Sequence, residues 1–181
     1  MNKLSPLTES LDILHLVRHP EGVYLKDIAY EPGNDEAVGT FQCPRSKQFP
    51  NPEIGELTGG QIFDSIAQMA YCLAGLMIRD GVDLLGLDFD GFKKRIHAHK
   101  VHLMRSEVSF LRPSHFDRPF DIHARIERFP SGDSSTVQEN PRRYLHKIAF
   151  DGTQRSDDDQ QTASDTFRAR IAVCYQLSQD F

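Results

Sequence analysis

The sequence predicts an α+β domain in which a curved antiparallel sheet wraps one long buried helix. Three observations predict it. Leu57 to Ile78, LTGGQIFDSIAQMAYCLAGLMI, is the longest stretch that reads as a buried helix. Two alternating strand patterns precede it and four follow, the clearest having Phe167, Ala169, Ile171, Val173, Tyr175 and Leu177 on one face. An apolar helix among antiparallel strands hides both its sides only if the sheet curls around it.

Composition sets outer limits. With 181 residues, no internal repeat and no linker, the chain reads as one domain, residues 1–181. A net charge of −5 argues against a general nucleic-acid binder but leaves room for local basic patches that meet an acidic partner. Cys43, Cys72 and Cys174 lie far apart with no CxxC pair, which fits a reducing cytoplasm. The N-terminus lacks a basic region followed by an apolar core, so no signal peptide is expected. Asp64 and two glutamines interrupt the central apolar run, which argues against a membrane span.

In order, Pro6 to Val17 carries Leu7, Leu11 and Leu14 at helical spacing and predicts an N-terminal helix within residues 1–20. Val23–Tyr30 and Ala37–Cys43 predict a hairpin turning at Pro32-Gly33-Asn34-Asp35. The prolines and glycine of residues 44–57 predict a loop. Thr58 and Gln61 have the spacing of a capping box at the start of the central helix. Gly81, Gly86 and Gly91 break up residues 80–99. A strand from about Lys100 puts His102, Met104, Ser106, Val108 and Phe110 on one parity, with Arg105 and Glu107 on the other. Phe120, Ile122, Ala124 and Ile126 then alternate with polar residues, and Tyr144, His146, Ile148 and Phe150 mark a further strand. The polar residues 151–165 predict a mobile loop before the last strand.

The central helix carries the chemistry. From Ile62 to Ile78 only Asp64, Ser65, Gln68 and Tyr71 bear clearly polar groups. Gln61, Asp64, Gln68 and Tyr71 recur at spacings of three and four and share one stripe. Such a stripe needs partners or water. Asp64 is the candidate general base, or the group that orients a water or amine, against a structural pairing to a neighbouring strand or Arg105. Gln68 is a candidate for orienting substrate, against structural pairing with the sheet. Thr58, Gly59, Gly60 and Gln61 leave backbone amides open at the helix N-terminus, where they can polarise a carbonyl or only cap the helix.

Other candidates come from the strands. His102 shares parity with apolar residues, so an inward, catalytic orientation competes with that of a satisfied core histidine. Arg105 is a candidate carboxylate clamp or a solvated strand residue. Tyr24 and Tyr71 are candidate liners of a substrate tunnel or plain core aromatics. His97, His99 and His102 lack a cysteine or acid at a metal-site spacing, so neither a metal nor another cofactor is expected. Lys93, Lys94 and Arg95 form a basic cluster that can meet a phosphate or acidic carrier, or simply be solvated.

The element order, with Thr58-Gly59-Gly60 and Asp64-Ser65-Ile66-Ala67-Gln68, resembles the hot-dog fold. Tyr24-Leu25, Gln68-Met69-Ala70-Tyr71, the Arg105 to Pro113 strand and Arg143-Tyr144-Leu145 make the chain look most like the FcoT-type long-chain fatty acyl thioesterases, over about residues 22–177. That family includes enzymes resembling the glycyltransferases of isonitrile lipopeptide biosynthesis. The resemblance implies action on acyl thioesters of CoA or acyl carrier protein, and a homodimer or higher oligomer. It implies either hydrolysis or addition of glycine to the β-carbon of a 2-enoyl thioester. The sequence departs from the pattern in places. No histidine lies between His19 and His97 to partner Asp64 as in hot-dog dehydratases, which leaves a dehydratase-like enzyme only as an alternative. Ala67 stands where many hot-dog thioesterases carry an acid, and the asparagines found near Thr58 and Ala67 in the FcoT-type pattern are missing. A catalytically silent hot-dog subunit that binds acyl carrier protein is a further alternative.

Overall fold

The computed structural model describes residues 5–45, 56–81, 88–127, 143–155 and 163–176; the side chains of 104–105, 143–146 and 174–176 lie outside that description. Helix α1 (Pro6–Val17) and a 3-10 turn (Pro20–Gly22) precede the hairpin β1 (Leu25–Tyr30) and β2 (Glu36–Phe41). Helix α2 (Gly59–Arg79) and helix α3 (Phe89–His97) follow, then β3 (Val101–Phe110), β4 (Phe120–Glu127), β5 (Arg143–Arg155) and β6 (Ala163–Gln176). The six strands form one antiparallel sheet in the order β1-β2-β4-β5-β6-β3, which curls around α2.

Helix α2 is the core. Its capping box forms, with the Gln61 N–H donating to the Thr58 hydroxyl and the Thr58 N–H donating to the Gln61 side chain, each at 3.1 Å. Ile66, Met69, Leu73 and Leu76 are fully buried. The helix is long and apolar enough to cross a membrane by composition, but 78% of that stretch is buried inside the domain. Its sheet side meets a ring cluster in which Phe120 lies 6.0 Å from Phe41 and 6.4 Å from Phe167. Gly152 of β5 sits under the Phe167 ring, where a Cβ would come within 2.1 Å of it.

The sheet alone does not cover α2. Buried Ile13 and Leu14 of α1, and Phe92 and Ile96 of α3, close its other side. At Gly75 a Cβ would lie 2.2 Å from Ile13, so a missing side chain lets α1 approach. Helix α3 falls in a region where the glycines predict breaks. Asp88 caps it, its side chain accepting the Gly91 N–H at 2.6 Å, and Phe92 and Ile96 bury one face four residues apart. The cap and this spacing were both present in the sequence.

Two strand expectations change. Strand β5 runs on through Arg155 and β6 starts at Ala163, so much of the expected mobile loop at 151–165 is paired sheet; residues 156–162 lie outside the described residues. The buried Gln154 side chain explains part of this extension. Its amide accepts the His115 N–H at 2.8 Å and donates to the carbonyls of His115 and Arg118, holding the turn before β4. In β3 the pairing with β6 shifts between Leu103 and Arg105, so one parity does not hold along the strand. Val101 is buried and His102 is exposed. The expected inward orientation of His102 is therefore corrected: it alternates with Val101 and faces out.

The start of α2 is anchored to that same turn. The Leu57 N–H donates to the Ser114 carbonyl at 2.6 Å, and Glu56 bridges to His115. The helix N-terminus thus sits at a place fixed by β5.

Candidate functional site

The polar stripe of α2 faces the segment that joins α1 to β1. Gln61, Asp64 and Gln68 find partners there or just after β2. Gln61 closes the capping box and donates to the Pro44 carbonyl at 2.6 Å. Gln68 is 1% exposed; its side chain donates to the Gly22 carbonyl at 2.8 Å and accepts the Tyr24 N–H at 2.9 Å. Both ends of this amide are committed to backbone. Gln68 acts as a substitute strand partner for residues 22–24, the structural alternative to a substrate-orienting role.

Asp64 lies one turn nearer the N-terminus. Its Oδ1 accepts from the Arg18 Nη2 at 2.6 Å, and both side chains are 37% exposed. The partner is thus the C-cap residue of α1, and not a strand residue. The side chain of Arg105, the partner weighed from the sequence, lies outside the described residues. A half-exposed pair of this kind contributes about 0–1 kcal/mol to stability. Its larger effect is to fix the carboxylate, because a charge-assisted bond holds direction well.

Neutral polar groups surround the pair. Burial pushes the Tyr24 hydroxyl up from its ordinary value, the Cys43 and Asp64 charges add to this, and Arg18 opposes it. Burial also raises Tyr71, again with Arg18 opposing. The buried Cys43 thiol lies 3.5 Å from the Ser65 hydroxyl and is pushed up to about 11; burial dominates, the Ser65 hydrogen bond opposes and Asp64 adds. Ser65 in turn donates to the Gln61 carbonyl at 2.9 Å.

About one turn of helix separates Asp64 from the N-terminal glycines. Gly59 and Gly60 are exposed and occupy the first two helical positions, whose N–H groups have no intrahelical acceptor. Phe110 of β3, 57% exposed, stands next to Gly59, with its ring 3.4 Å from where a Cβ would be. The structure therefore lines up Gln61, Asp64, Gln68 and Tyr71 along one side of α2 with Tyr24 beside them, while Thr58, Gly59 and Gly60 form the helix N-terminus, where Gly59 faces Phe110. His102 points outward from an edge strand. His97 and His99 are exposed, and among the described residues no group of three or more His, Cys, Asp or Glu side chains is placed to hold a metal ion.

Sequence reasoning missed Arg18, Cys43 and Ser65. Arg18 immediately follows the last residue of α1, and a cation past a helix end is a common capping choice. That signal marks the helix end and does not point to Asp64, 46 residues away.

Comparison with solved structures settles the architecture. The HP0420 homologue from Helicobacter felis matches with a TM-score of 0.55 at 11% identity, covering 100% of this chain and 95% of its own. This is the hot-dog fold. Hot-dog neighbours at similar distance are smu.793 from Streptococcus mutans UA159, a structure bound to acetyl CoA, and the E. coli PaaI protein from the phenylacetic acid degradation operon. The first has a TM-score of 0.52 and 14% identity over 90% of this chain and 94% of that one. The second has a TM-score of 0.52 and 10% identity over 94% of this chain and 95% of that one. No family model matches the chain, and no curated protein matches it in sequence.

Two outcomes follow for the hot-dog helix and its cluster. Gln68→Ala leaves the Gly22 carbonyl and Tyr24 N–H without partners, and urea denaturation should show a loss of about 1–3 kcal/mol. A raised thiol holds its proton more tightly in the folded chain than in the unfolded one. Stability should therefore be unaffected by Cys43 below the ordinary thiol value of 9.0, and fall as pH rises from there toward about 11. Urea midpoints measured from pH 7 upward should show a flatter alkaline decline in Cys43→Ala than in the parent chain.

Proposed function

We propose that this chain is an enzyme acting on fatty acyl thioesters carried on CoA or acyl carrier protein, with water as the attacking group. The observation that carries this reading is Asp64. It is a half-exposed carboxylate held by Arg18 on the central helix of a hot-dog domain, one turn beyond two exposed N-terminal glycines. The acetyl CoA bound to the structural neighbour from Streptococcus mutans supports a CoA thioester as ligand. The FcoT-type resemblance of the sequence supports a longer acyl chain and leaves acyl carrier protein as the other carrier.

In this reading the thioester carbonyl oxygen lies against the amides of Gly59 and Gly60. The helix dipole and the two N–H groups stabilise negative charge as it develops there. Asp64 takes a proton from water as the water oxygen bonds to the carbonyl carbon. The carbon–sulfur bond then breaks, and the thiol leaves with a proton. Gln68 contributes by holding residues 22–24 in place beside the carboxylate. Tyr24 and Tyr71, neutral and half-buried, line the approach. Glycine addition to a 2-enoyl thioester needs the same base to deprotonate an amine, so one experiment separates the two reactions.

A homodimer or higher oligomer belongs to this proposal. Strand β3 is an edge of the sheet, and it ends in exposed Phe110 with exposed Leu111 beside it. An open edge flanked by apolar side chains favours pairing with a second copy. Light scattering coupled to size-exclusion chromatography should give a mass of at least twice 20.6 kDa. A monomer at micromolar concentration would remove this part of the proposal.

Mass spectrometry of saturated and 2-enoyl thioesters of CoA and carrier protein, with and without glycine, tests the activity. Loss of the acyl group without glycine is the expected result. Asp64→Asn should lower that turnover by about 10²–10⁴-fold while keeping its circular dichroism spectrum. A gain of one glycine mass on the enoyl thioester alone would replace hydrolysis with addition. No change in any sample would favour a silent carrier-binding subunit.

A further inference from the structure

We infer that Arg18, at the end of the N-terminal helix, is the positioning residue for Asp64, so that the α1 segment is part of the catalytic apparatus; this rests on the acyl-thioester reading above. The chain on both sides of Arg18 is pinned. Before it, Ile13 and Leu14 are fully buried against α2, and the Arg18 N–H donates to the Leu14 carbonyl at 2.8 Å. At the far end of α1, buried Glu9 pairs with Arg79 of α2, which also binds Asp80 through two bonds. After it, the 3-10 turn leads to Gly22 and Tyr24, both held by Gln68. The guanidinium therefore reaches Asp64 from a backbone fixed at two points.

Stability gives little reason for this arrangement, because a half-exposed pair contributes little. Position is what the pinning delivers. One carboxylate oxygen of Asp64 is bound by Arg18, and among the described residues Oδ2 has no hydrogen-bond partner. A carboxylate held through one oxygen and open at the other is oriented to take a proton in one direction. The groups facing it from the neighbouring elements are Tyr24 ahead of β1 and the Cys43 thiol after β2, both with their ionisation pushed up by burial. Arg18 is the cation bonded to the carboxylate, and Lys26 of β1 acts on the Cys43 thiol.

The test compares the full chain with Arg18→Met, Arg18→Lys and Asp64→Asn on the thioester that the parent chain turns over. Arg18→Met should lower kcat about a hundredfold with little change in KM, because orientation is lost and substrate contacts are kept. Arg18→Lys should recover part of that loss, since it restores the charge without the planar fork. Guanidinium chloride at low millimolar concentration, far below denaturing levels, should raise kcat of Arg18→Met, and sodium chloride should not. If the parent chain and Asp64→Asn differ but Arg18→Met matches the parent, the positioning role is overturned and the acyl-thioester reading stands. If Arg18→Met is slow but neither lysine nor guanidinium restores it, the loss is structural and the positioning role is likewise overturned. If the parent chain turns over no thioester, the functional reading fails and the role of Arg18 fails with it.

Discussion

The burial of α2 on all sides governs the rest of this structure. Fully burying one Leu, Ile or Met side chain is worth about 1.5–3 kcal/mol, and α2 carries such residues around most of its circumference. One sheet face covers only half of a helix. The chain solves this with three elements: the curled sheet on one side, and α1 and α3 on the other. Gly75 and Gly152 mark where the packing leaves no room for a side chain. The same constraint explains why Gln61, Asp64 and Gln68 of α2 find partners in one narrow strip of the surrounding chain.

That strip holds the candidate site. Gln68 cannot be buried unpaired, so it takes the backbone of residues 22–24, which carries the end of α1 and the start of β1 into register with α2. Asp64, one turn earlier and nearer the surface, takes Arg18. The opposite end of the helix pair is closed by Glu9, Arg79 and Asp80, all largely buried. Helices α1 and α2 are thus tied at both ends by ion pairs of opposite sense. The inner network is shielded, while the outer pair is half-exposed to solvent. A polar residue deep on the helix is consumed by structure, whereas one near the rim keeps a free side.

The element order, the capping box and the alternating faces of β4 and β6 were legible because period and cap chemistry are local properties of the chain. The helix boundaries of α1 and α2 fall within about a residue of the sequence reading for the same reason. Helix α3 was obscured because glycines were read as breaks, although Gly91 lies inside the helix and its N–H is the one Asp88 caps. The extension of β5 was obscured because Thr153 and Gln154 look like loop residues until the turn they hold is present. His102 was misread because a bulge two residues later reverses the parity, and nothing in an alternating pattern announces a bulge.

By itself the sequence determined that an apolar helix with one polar stripe would lie inside an antiparallel sheet, and that Asp64 and Gln68 would stand one turn apart on it. Hydrophobic periodicity fixes those facts without reference to distant residues. The tertiary structure decided which of the two would be free. Arg18 and Asp64 are 46 residues apart, and Gln68 and Gly22 are equally far. Only the docking of α1 across α2 brings them together, because a side chain's partner is chosen by packing geometry and not by spacing along the chain.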